Sequence, residues 1–531
     1  MNLFAWLLGA AAVAYGLARY FRLPSVPVLI AAGMSLSLSG LVPKELSFGE
    51  GAGSMNLLEL GLVFLVFSSG VELNPKRFKK FGKTVVWVAG VQFFLAMGIG
   101  FLCAKWMGVD TLESVYIGGG LAASSTLVVL RHLQTRKAMF EPYGRVVTGV
   151  LLLQDVALVW LIVILSRVDG GGWNVGRGLL EVLLMGSVAW VAQRFVIPKL
   201  VLKFKPDEEN LLLWLVAVLL GFVGVASWLN LPLISGAFAG GFVFSAFPLN
   251  GLVRGQLSSL VDFFHAMFFV ALGALLGIPD LEFWLEAGVY SLVVIFVTPP
   301  LVALVAEWRG LNARAAIETG LLLAQTSEYS LLLGLSGLAL GHVSGDTFSV
   351  LALTTILTMV MTPLLGREAV ANFLLPFHPL RKKSKPFETP SGHVLILGFG
   401  SAGMWTVKPL LARGEEIVVV DDDAAVCRAL AAKNIAFIRG DGAEVEVLKK
   451  AGAREAKLVI ASMRRVGDAL TVLNYVRGVP VIARVFENED AQRVKAAGGI
   501  PVMNSEAAAD TFMDWMAANE RSRGRDERNR D

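Results

Sequence analysis

Along the first 366 residues, apolar positions run in unbroken blocks rather than alternating, and Pro, Gly and charged clusters punctuate the blocks. A block of about 20 apolar residues is long enough to cross a bilayer as a helix. Read this way, the chain predicts thirteen spans, at 3–20, 25–42, 56–73, 84–104, 112–130, 146–166, 178–198, 210–229, 231–247, 258–278, 283–306, 315–340 and 347–366. Beyond them the pattern changes. VLIL, VVVD, AFIRG, KLVIA, PVIARV and GIPVM are short apolar runs separated by mixed helical stretches, which predicts a doubly wound parallel sheet. The expected fold is an all-α polytopic membrane domain at 1–370, a linker at 371–391, an α/β Rossmann-like domain at 392–515 and a charged, disordered tail at 516–531.

Composition agrees with that division. A chain that is 55% hydrophobic and 17% charged, with a mean hydropathy of +0.64, is too apolar for an ordinary soluble protein. The net charge of +4 carries no nucleic-acid signal, and Cys103 and Cys427 lie in different domains, offering neither a disulfide framework nor a metal-ligand pair. The opening MNLFAWLLGAAAVAYGLARYF lacks a basic leader region and is expected to be a retained span. Lys and Arg are distributed unevenly between alternate loops: eighteen lie in one set, and only Lys44, Lys105, Arg167 and Arg177 in the other. The positive-inside rule then places the N-terminus outside and the soluble domain in the cytoplasm, entered through RKKSK at 381–385.

The block 146–166 holds LLLQDVALVW, and Asp155 is its only ionisable group. A carboxylate there costs roughly 2.5 to 3.5 kcal/mol on insertion scales, which points to a use. Two further blocks carry polar clusters at membrane depth. GGGLAASSTLVVL (118–130) places Ser124, Ser125 and Thr126 after three glycines, and LLLAQTSEYSLLLGLSG (321–337) places Gln325, Thr326, Ser327 and Glu328 midway along an apolar run. Both are expected to break their spans and expose oxygens around a shared ion site. A carboxylate in hydrocarbon is relieved by a proton or by a cation, so the two compete; K+ or Na+ would need the hard oxygens that these residues supply. Gln154, a neutral amide beside Asp155, keeps the titrating charge single.

In the soluble domain, HVLILGFGSAGMWTVKPLLARGEEIVVVDDD (393–423) reads strand, tight turn, helix, strand. Gly398, Gly400 and Gly403 form G-x-G-x-x-G with Phe399, Ser401 and Ala402 between them, and Asp421 and Asp422 follow the next strand. Glycines there let backbone approach a phosphate, and the acids are placed for a ribose hydroxyl. Gly440 and Asp441 follow the third strand. The expected ligand is a regulatory adenine nucleotide, NAD(H), AMP or ATP; no stretch reads as a substrate lobe with an acid or base beside a nicotinamide, so an enzyme is not expected.

As an ordered set, ELGLVFLVFSSGVELNP (59–75), GLAASSTLVVL, the QD pair, SGAFAGGFVF (235–244), FFVALG (268–273), AQTSEYSLLL and MVMTPLL (359–365) resemble the cation/proton antiporter-2 family, and within it the Kef-type potassium/proton branch. The soluble half is similar to the RCK (TrkA-N) domains of potassium transporters and channels. The resemblance implies two inverted repeats, crossed broken helices, a homodimer in a bacterial inner membrane, elevator-like exchange of K+ for H+ at Asp155, and an ancillary cytoplasmic regulator. Two stretches depart from the family pattern. Thr298 stands where many members have an intramembrane lysine, and FPLNGLVRGQLSSL (247–260), with Arg254 its only charge, lacks the acidic loop of glutathione-gated members. A sodium/proton exchanger, a nucleotide-gated cation channel, and a membrane-tethered oxidoreductase are the competing classes. Of the other membrane acids, Glu72, beside Asn74 and Pro75, is expected to be structural; Asp262 and His265, one helical turn apart, are expected to form a local hydrogen-bonded face, with an ion-path pair as the alternative.

Overall fold

The computed structural model describes residues 2–21, 23–39, 52–73, 82–136, 138–139, 141–204, 208–246, 249–276, 280–311, 313–375, 391–400, 403–463, 465–503 and 513. The chain forms two compact units, Met1–Leu380 and Arg381–Asp531. The RKKSK stretch, Asn74 and Pro75, Ser401 and Ala402, and the charged tail lie outside the described residues.

The first unit is helical. Its elements are α1 (Asn2–Phe21), α2 (Ser25–Leu38), α3 (Ala52–Glu72), α4 (Lys83–Trp106), α5 (Thr111–Ala122), α6 (Thr126–Thr135), α7 (Pro142–Leu165), α8 (Gly171–Val191), α9 (Ile197–Phe204), α10 (Glu208–Trp228), α11 (Leu233–Val243), α12 (Leu249–Leu276), α13 (Leu281–Trp308), α14 (Ala313–Leu323), α15 (Glu328–Ala339), α16 (Gly345–Leu365) and α17 (Glu368–Leu374). Among the described residues, 9 helical stretches are long and apolar enough to cross a membrane, and shorter apolar helices cover 25–38, 60–72 and 233–243. One motif occurs twice in the chain: a long helix (α4, α13), a span broken at its middle (α5–α6, α14–α15), and a second long helix (α7, α16).

Close crossings hold a separate group together. Gly70 of α3 faces the backbone of Phe238, and Gly241 of α11 faces that of Phe67; a Cβ on either would be driven into the partner's carbonyl. Gly33 of α2 and Gly273 of α12 meet in the same manner against Val270 and Ile30. Lipid tails give helices no hydrophobic drive to associate, so such backbone contact supplies the packing.

The predicted break in 118–130 falls after the three glycines: α5 stays helical through Ala122, and Gly118 admits the Met97 carbonyl, 2.5 Å from where its Cβ would sit. Two readings of the sequence change here. The stretch around Arg254 is not a loop. α12 begins at Leu249 because Val253, Leu257 and Val261 recur every four residues and are buried. Likewise 171–177 is the start of α8, where Arg177 pairs with Glu181 one turn on at 2.8 Å.

The second unit is a six-stranded parallel sheet: β1 (Val394–Leu397), β2 (Ile417–Asp421), β3 (Ala436–Arg439), β4 (Leu458–Ala461), β5 (Val481–Val485) and β6 (Ile500–Met503), ordered β3-β2-β1-β4-β5-β6. Between them run α18 (Gly403–Ala412), α19 (Ala424–Ala431), α20 (Val445–Lys450), α21 (Val466–Tyr475) and α22 (Asn488–Ala496). β1 and β2 are buried at every position, as a sheet covered on both faces requires. The strand order reverses at β1, next to β4, which is where ligands of such sheets bind.

Candidate functional site

Both predicted breaks occur in the membrane unit. Between α5 and α6 the backbone is extended at Ala123 to Ser125, and between α14 and α15 the helix stops after Leu323 and restarts at Glu328. Ser125 caps α6, accepting from the Val128 amide at 3.3 Å; Ser327 caps α15, accepting from the Tyr329 amide at 3.1 Å. Broken helices leave amides and carbonyls without partners in a medium that has no water, so each must find one in the protein.

The two breaks satisfy one another. The Ser124 hydroxyl donates to the Leu323 carbonyl at 2.8 Å, the Gln325 amide donates to the Ser125 carbonyl at 3.4 Å, and the Ser330 hydroxyl donates to the Gly120 carbonyl at 2.5 Å. α16 braces the second break from behind. Thr362 donates to Gln325 Oε1 at 2.6 Å, and the Thr326 hydroxyl lies 3.1 Å from that of Thr355 and 3.0 Å from that of Thr358.

α7 runs beside this crossing and presents its polar pair to it. Gln154 Oε1 accepts from the Ser124 amide at 3.1 Å, while its Nε2 donates to Gln92 of α4. Gln92 in turn donates to the Ala122 carbonyl at 2.9 Å, closing the C-terminal end of α5. Asp155 is 1% exposed; its Oδ2 accepts from the Thr126 hydroxyl at 3.2 Å, and its Oδ1 is buried with no hydrogen-bond partner among the described residues. Glu328, 2% exposed and at the first position of α15, lies beside the Ser125 hydroxyl and the Leu127 amide, and its Oε2 also has no hydrogen-bond partner among the described residues. Helix N-termini carry partial positive charge, so α6 and α15 both point a favourable dipole end at these acids.

Of the residues expected at the ion site, Asp155, Gln154, Ser125, Thr126, Gln325, Ser327 and Glu328 come together at the crossing. Thr298 is buried on α13, beside Pro299, whose carbonyl abuts Gly320 of α14, and it makes no hydrogen bond to Asp155. Among the described residues Asp262 and His265 share no hydrogen bond: Asp262 lies within electrostatic reach of Arg131, and the His265 ring packs near Phe269 at 6.2 Å. The reading of the sequence passed over Gln92, Thr355, Thr358 and Thr362. Gln92 is a lone amide in the apolar run 84–104, the same signal that marked Gln154. The threonines recur at steps of three and four residues on one face of 347–366. Glu72, read as structural, lies within electrostatic reach of Asp155 and Glu328.

In the sheet unit, Gly398 and Gly400 follow β1 with φ of 77° and 48°, left-handed conformations that a side chain resists. Space in front of Gly400 is open: a Cβ there would meet nothing within 4 Å. That cradle fits a nucleotide phosphate, with Gly403 opening α18 behind it. Asp421 serves the cradle itself. Its Oδ2 accepts from the Phe399 and Gly400 amides at 2.7 and 3.2 Å, and its Oδ1 from the Asp423 amide at 2.9 Å. Gly440 donates its amide to the Asp421 carbonyl at 3.1 Å, bringing Asp441 to the same edge, where its Oδ1 accepts from the Ala443 amide at 2.9 Å. Burial, and the Asp421, Asp441 and Asp423 carboxylates nearby, push the Asp422 carboxyl up to about 6.

Comparison with known proteins completes the picture. Residues 7–367 match the model of the sodium/hydrogen exchanger family, and residues 394–505 match the TrkA-N domain. The chain is 28% identical over 489 residues to K(+) efflux antiporter 1, chloroplastic, of Arabidopsis thaliana, covering 87% of this chain and 40% of that protein. It is 29% identical over 350 residues to K(+) efflux antiporter 4 of the same plant, covering 63% and 58%. The chain thus spans about half the length of these curated relatives. A solved sodium proton antiporter from Methanocaldococcus jannaschii shares the fold of the first unit, with a TM-score of 0.51 and 14% identity over 71% of this chain and 100% of that one. Its two matched domains make this chain a multi-pass membrane protein of the sodium/hydrogen exchanger family that carries a TrkA-N domain C-terminal to its helices.

Proposed function

We propose that the protein exchanges K+ for H+ at Asp155, under the control of a nucleotide held by the TrkA-N domain. Asp155 Oδ1, a carboxyl oxygen buried between two helix breaks with no hydrogen-bond partner among the described residues, carries this reading. Leaving such an oxygen desolvated and unpaired costs several kcal/mol. A proton removes that cost, and so does a dehydrated alkali cation, but both cannot occupy the oxygen together. Competition at one oxygen, with access to one face at a time, couples the two fluxes.

The neighbours have distinct parts. Thr126, Ser125, Gln325 and Ser327 supply or orient oxygens for the cation, and Glu328 holds the second helix end. Gln154 anchors the first break through Ser124 and adds no charge of its own. Thr298 leaves Asp155 without a lysine partner, so the cation meets no resident counter-charge. K+ as the cation is supported by the efflux antiporters among the relatives. Domain limits of 1–370 for the exchanger and 392–515 for the nucleotide-binding part, a homodimer, an outer N-terminus and a cytoplasmic TrkA-N domain in a bacterial cell membrane complete the proposal.

The nucleotide, NAD(H), AMP or ATP, would bind across Gly398, Phe399, Gly400, Ser401, Ala402 and Gly403, with its ribose towards Asp421, Asp422, Gly440 and Asp441. It acts as a ligand whose unequal affinity for two states of the protein shifts their balance, not as a substrate. Purified protein in liposomes containing a pH dye tests this. K+ pulses should move protons more effectively than Na+ or Li+ pulses, and one of the three nucleotides should change the rate. Equal movement with all three cations would remove the K+ assignment, and turnover of NAD(H) would remove the regulatory one.

A further inference from the structure

At one membrane face, three elements that carry the candidate ion site are tied to one another by a chain of titratable side chains. α15 ends in a turn whose backbone is fixed: Gly341 takes a left-handed φ of 73°, and the His342 amide donates back to the Gly337 carbonyl at 2.8 Å. Gly337 lies against Tyr116 of α5, whose Cε1 is 2.6 Å from where a Cβ would sit. The turn thereby presents the His342 imidazole to two partners. Its Nδ1 lies 2.9 Å from the Tyr116 hydroxyl, and its Nε2 lies 2.6 Å from Oδ2 of Asp169, in the short turn Val168–Gly170 that follows α7. The His342 side chain is 6% exposed and that of Asp169 75%, while Tyr116 is buried, so the chain runs from an enclosed phenol to a carboxylate in water. Two other charged groups flank it. Glu113, three residues before Tyr116, accepts from the Ser344 amide at 2.6 Å and the Thr347 hydroxyl at 3.0 Å, and Arg167, two residues before Asp169, is turned to Glu181 at 3.1 Å.

An ionised carboxylate only accepts, so in neutral His342 the proton sits on Nε2 and Nδ1 accepts from Tyr116. Imidazole is the side chain that ordinarily changes charge between pH 5 and 8. A proton added at Nδ1 turns that atom into a donor, so Tyr116 can no longer donate to it, while the Nε2 bond becomes a charge-assisted pair with Asp169. The stronger hold on the turn passes from α5 to the end of α7. We infer that this relay senses protons on its own membrane face and adjusts the affinity of the ion site, because α5 leads straight into the Ser124–Ser125 break, α7 carries Asp155 and α15 starts at Glu328. This rests on the exchange reading given above, whose orientation puts the relay outside, opposite the basic loops.

Two measurements on the full chain test it. In micelles, NMR of protein labelled in its imidazole carbons follows the His342 resonance, identified by its loss in His342→Gln; its midpoint should fall by about half a unit in Asp169→Asn, as loss of a carboxylate partner at a wet edge gives. In proteoliposomes, the KM for K+ is measured with pH varied only on the relay face, and wild type is divided by His342→Gln so that competition at Asp155 cancels. Glutamine keeps a donor and an acceptor without a titrating group, so this quotient should be near one at about pH 8 and depart from it about threefold by about pH 5.5. Asp169→Asn should move the departure to lower pH by the same half unit, Tyr116→Phe should abolish it, and kcat should stay within about twofold in all three variants. A quotient that is flat with pH, a His342 resonance that does not titrate in this range, or a midpoint that Asp169→Asn leaves in place would overturn the inference alone. Loss of kcat in both His342→Gln and Tyr116→Phe would do the same, by making the relay structural. Exchange that Asp155→Asn leaves intact would overturn the exchange reading and the inference with it.

Discussion

Gln92→Met probes the polar chain that closes the first helix break. The substitution keeps length and volume but removes both ends of the amide. It orphans the Ala122 carbonyl, which now accepts at 2.9 Å, and the Gln154 amide nitrogen, which now donates to Gln92. Each buried group left without a partner costs about 1 to 3 kcal/mol, so the variant should lose about 2 to 6 kcal/mol. Gln154→Met orphans a different pair, the Ser124 amide and Gln92 Oε1, at a similar cost. In the double variant only the Ala122 carbonyl and the Ser124 amide are stranded, because the link between the two amides has gone from both sides. The double variant should therefore cost about as much as either single one, about 2 to 6 kcal/mol and not twice that. Reversible SDS-titrated unfolding in mixed micelles, followed by tryptophan fluorescence, measures all four corners of the cycle. Additive losses would refute the reasoning, since they would mean that Gln92 and Gln154 do not serve one another.

Thr362→Val strands Gln325 Oε1, whose donor at 2.6 Å is the Thr362 hydroxyl, and should cost about 1 to 3 kcal/mol in the same assay, with Thr362→Ser restoring it. Asp422→Asn should stabilise the nucleotide-free protein at pH 7.5. The carboxyl is pushed from 3.8 up to about 6 on folding, so its charged form is penalised by about 3 kcal/mol wherever the folded group is ionised. The penalty is fully present above pH 6 and is relieved as pH falls from 6 towards 3.8. Thermal melts should thus show the variant ahead at pH 7.5 and level with wild type near pH 3.8; an advantage that grows on acidification would contradict the assignment.

Polar residues in an apolar run proved to be the most legible feature of the chain. Asp155, Gln154 and the two interrupted spans stood out because nothing else in hydrocarbon explains them, and the strand rhythm after residue 392 gave the Rossmann sheet directly. What the sequence hid depends on three-dimensional pairing. Gly118 to Gly120 looked like a weak point, yet they are contact surfaces, since a glycine's packing role depends on the partner helix that approaches it. Arg254 drew attention as a loop charge, while the buried repeat Val253, Leu257, Val261 that makes its stretch helical was the stronger signal. Thr355, Thr358 and Thr362 were passed over; their hydroxyls bond their own helix, and only the crossing reveals that they also brace Gln325 and Thr326. Asp421 was read as an acid placed for a ribose hydroxyl; its oxygens accept from the turn's own amides, which no spacing could tell.

The central claim is that one oxygen pair on Asp155 is shared between proton and cation. The most direct measurement is the apparent KM for K+ in proteoliposomes as a function of pH, for wild type and for Asp155→Asn. Competition predicts a wild-type KM that rises about tenfold for each unit of acidification once protons dominate the site, with the maximal rate unchanged, and no K+-driven proton movement in Asp155→Asn. Exchange that persists in Asp155→Asn, or a wild-type KM indifferent to pH, would contradict it.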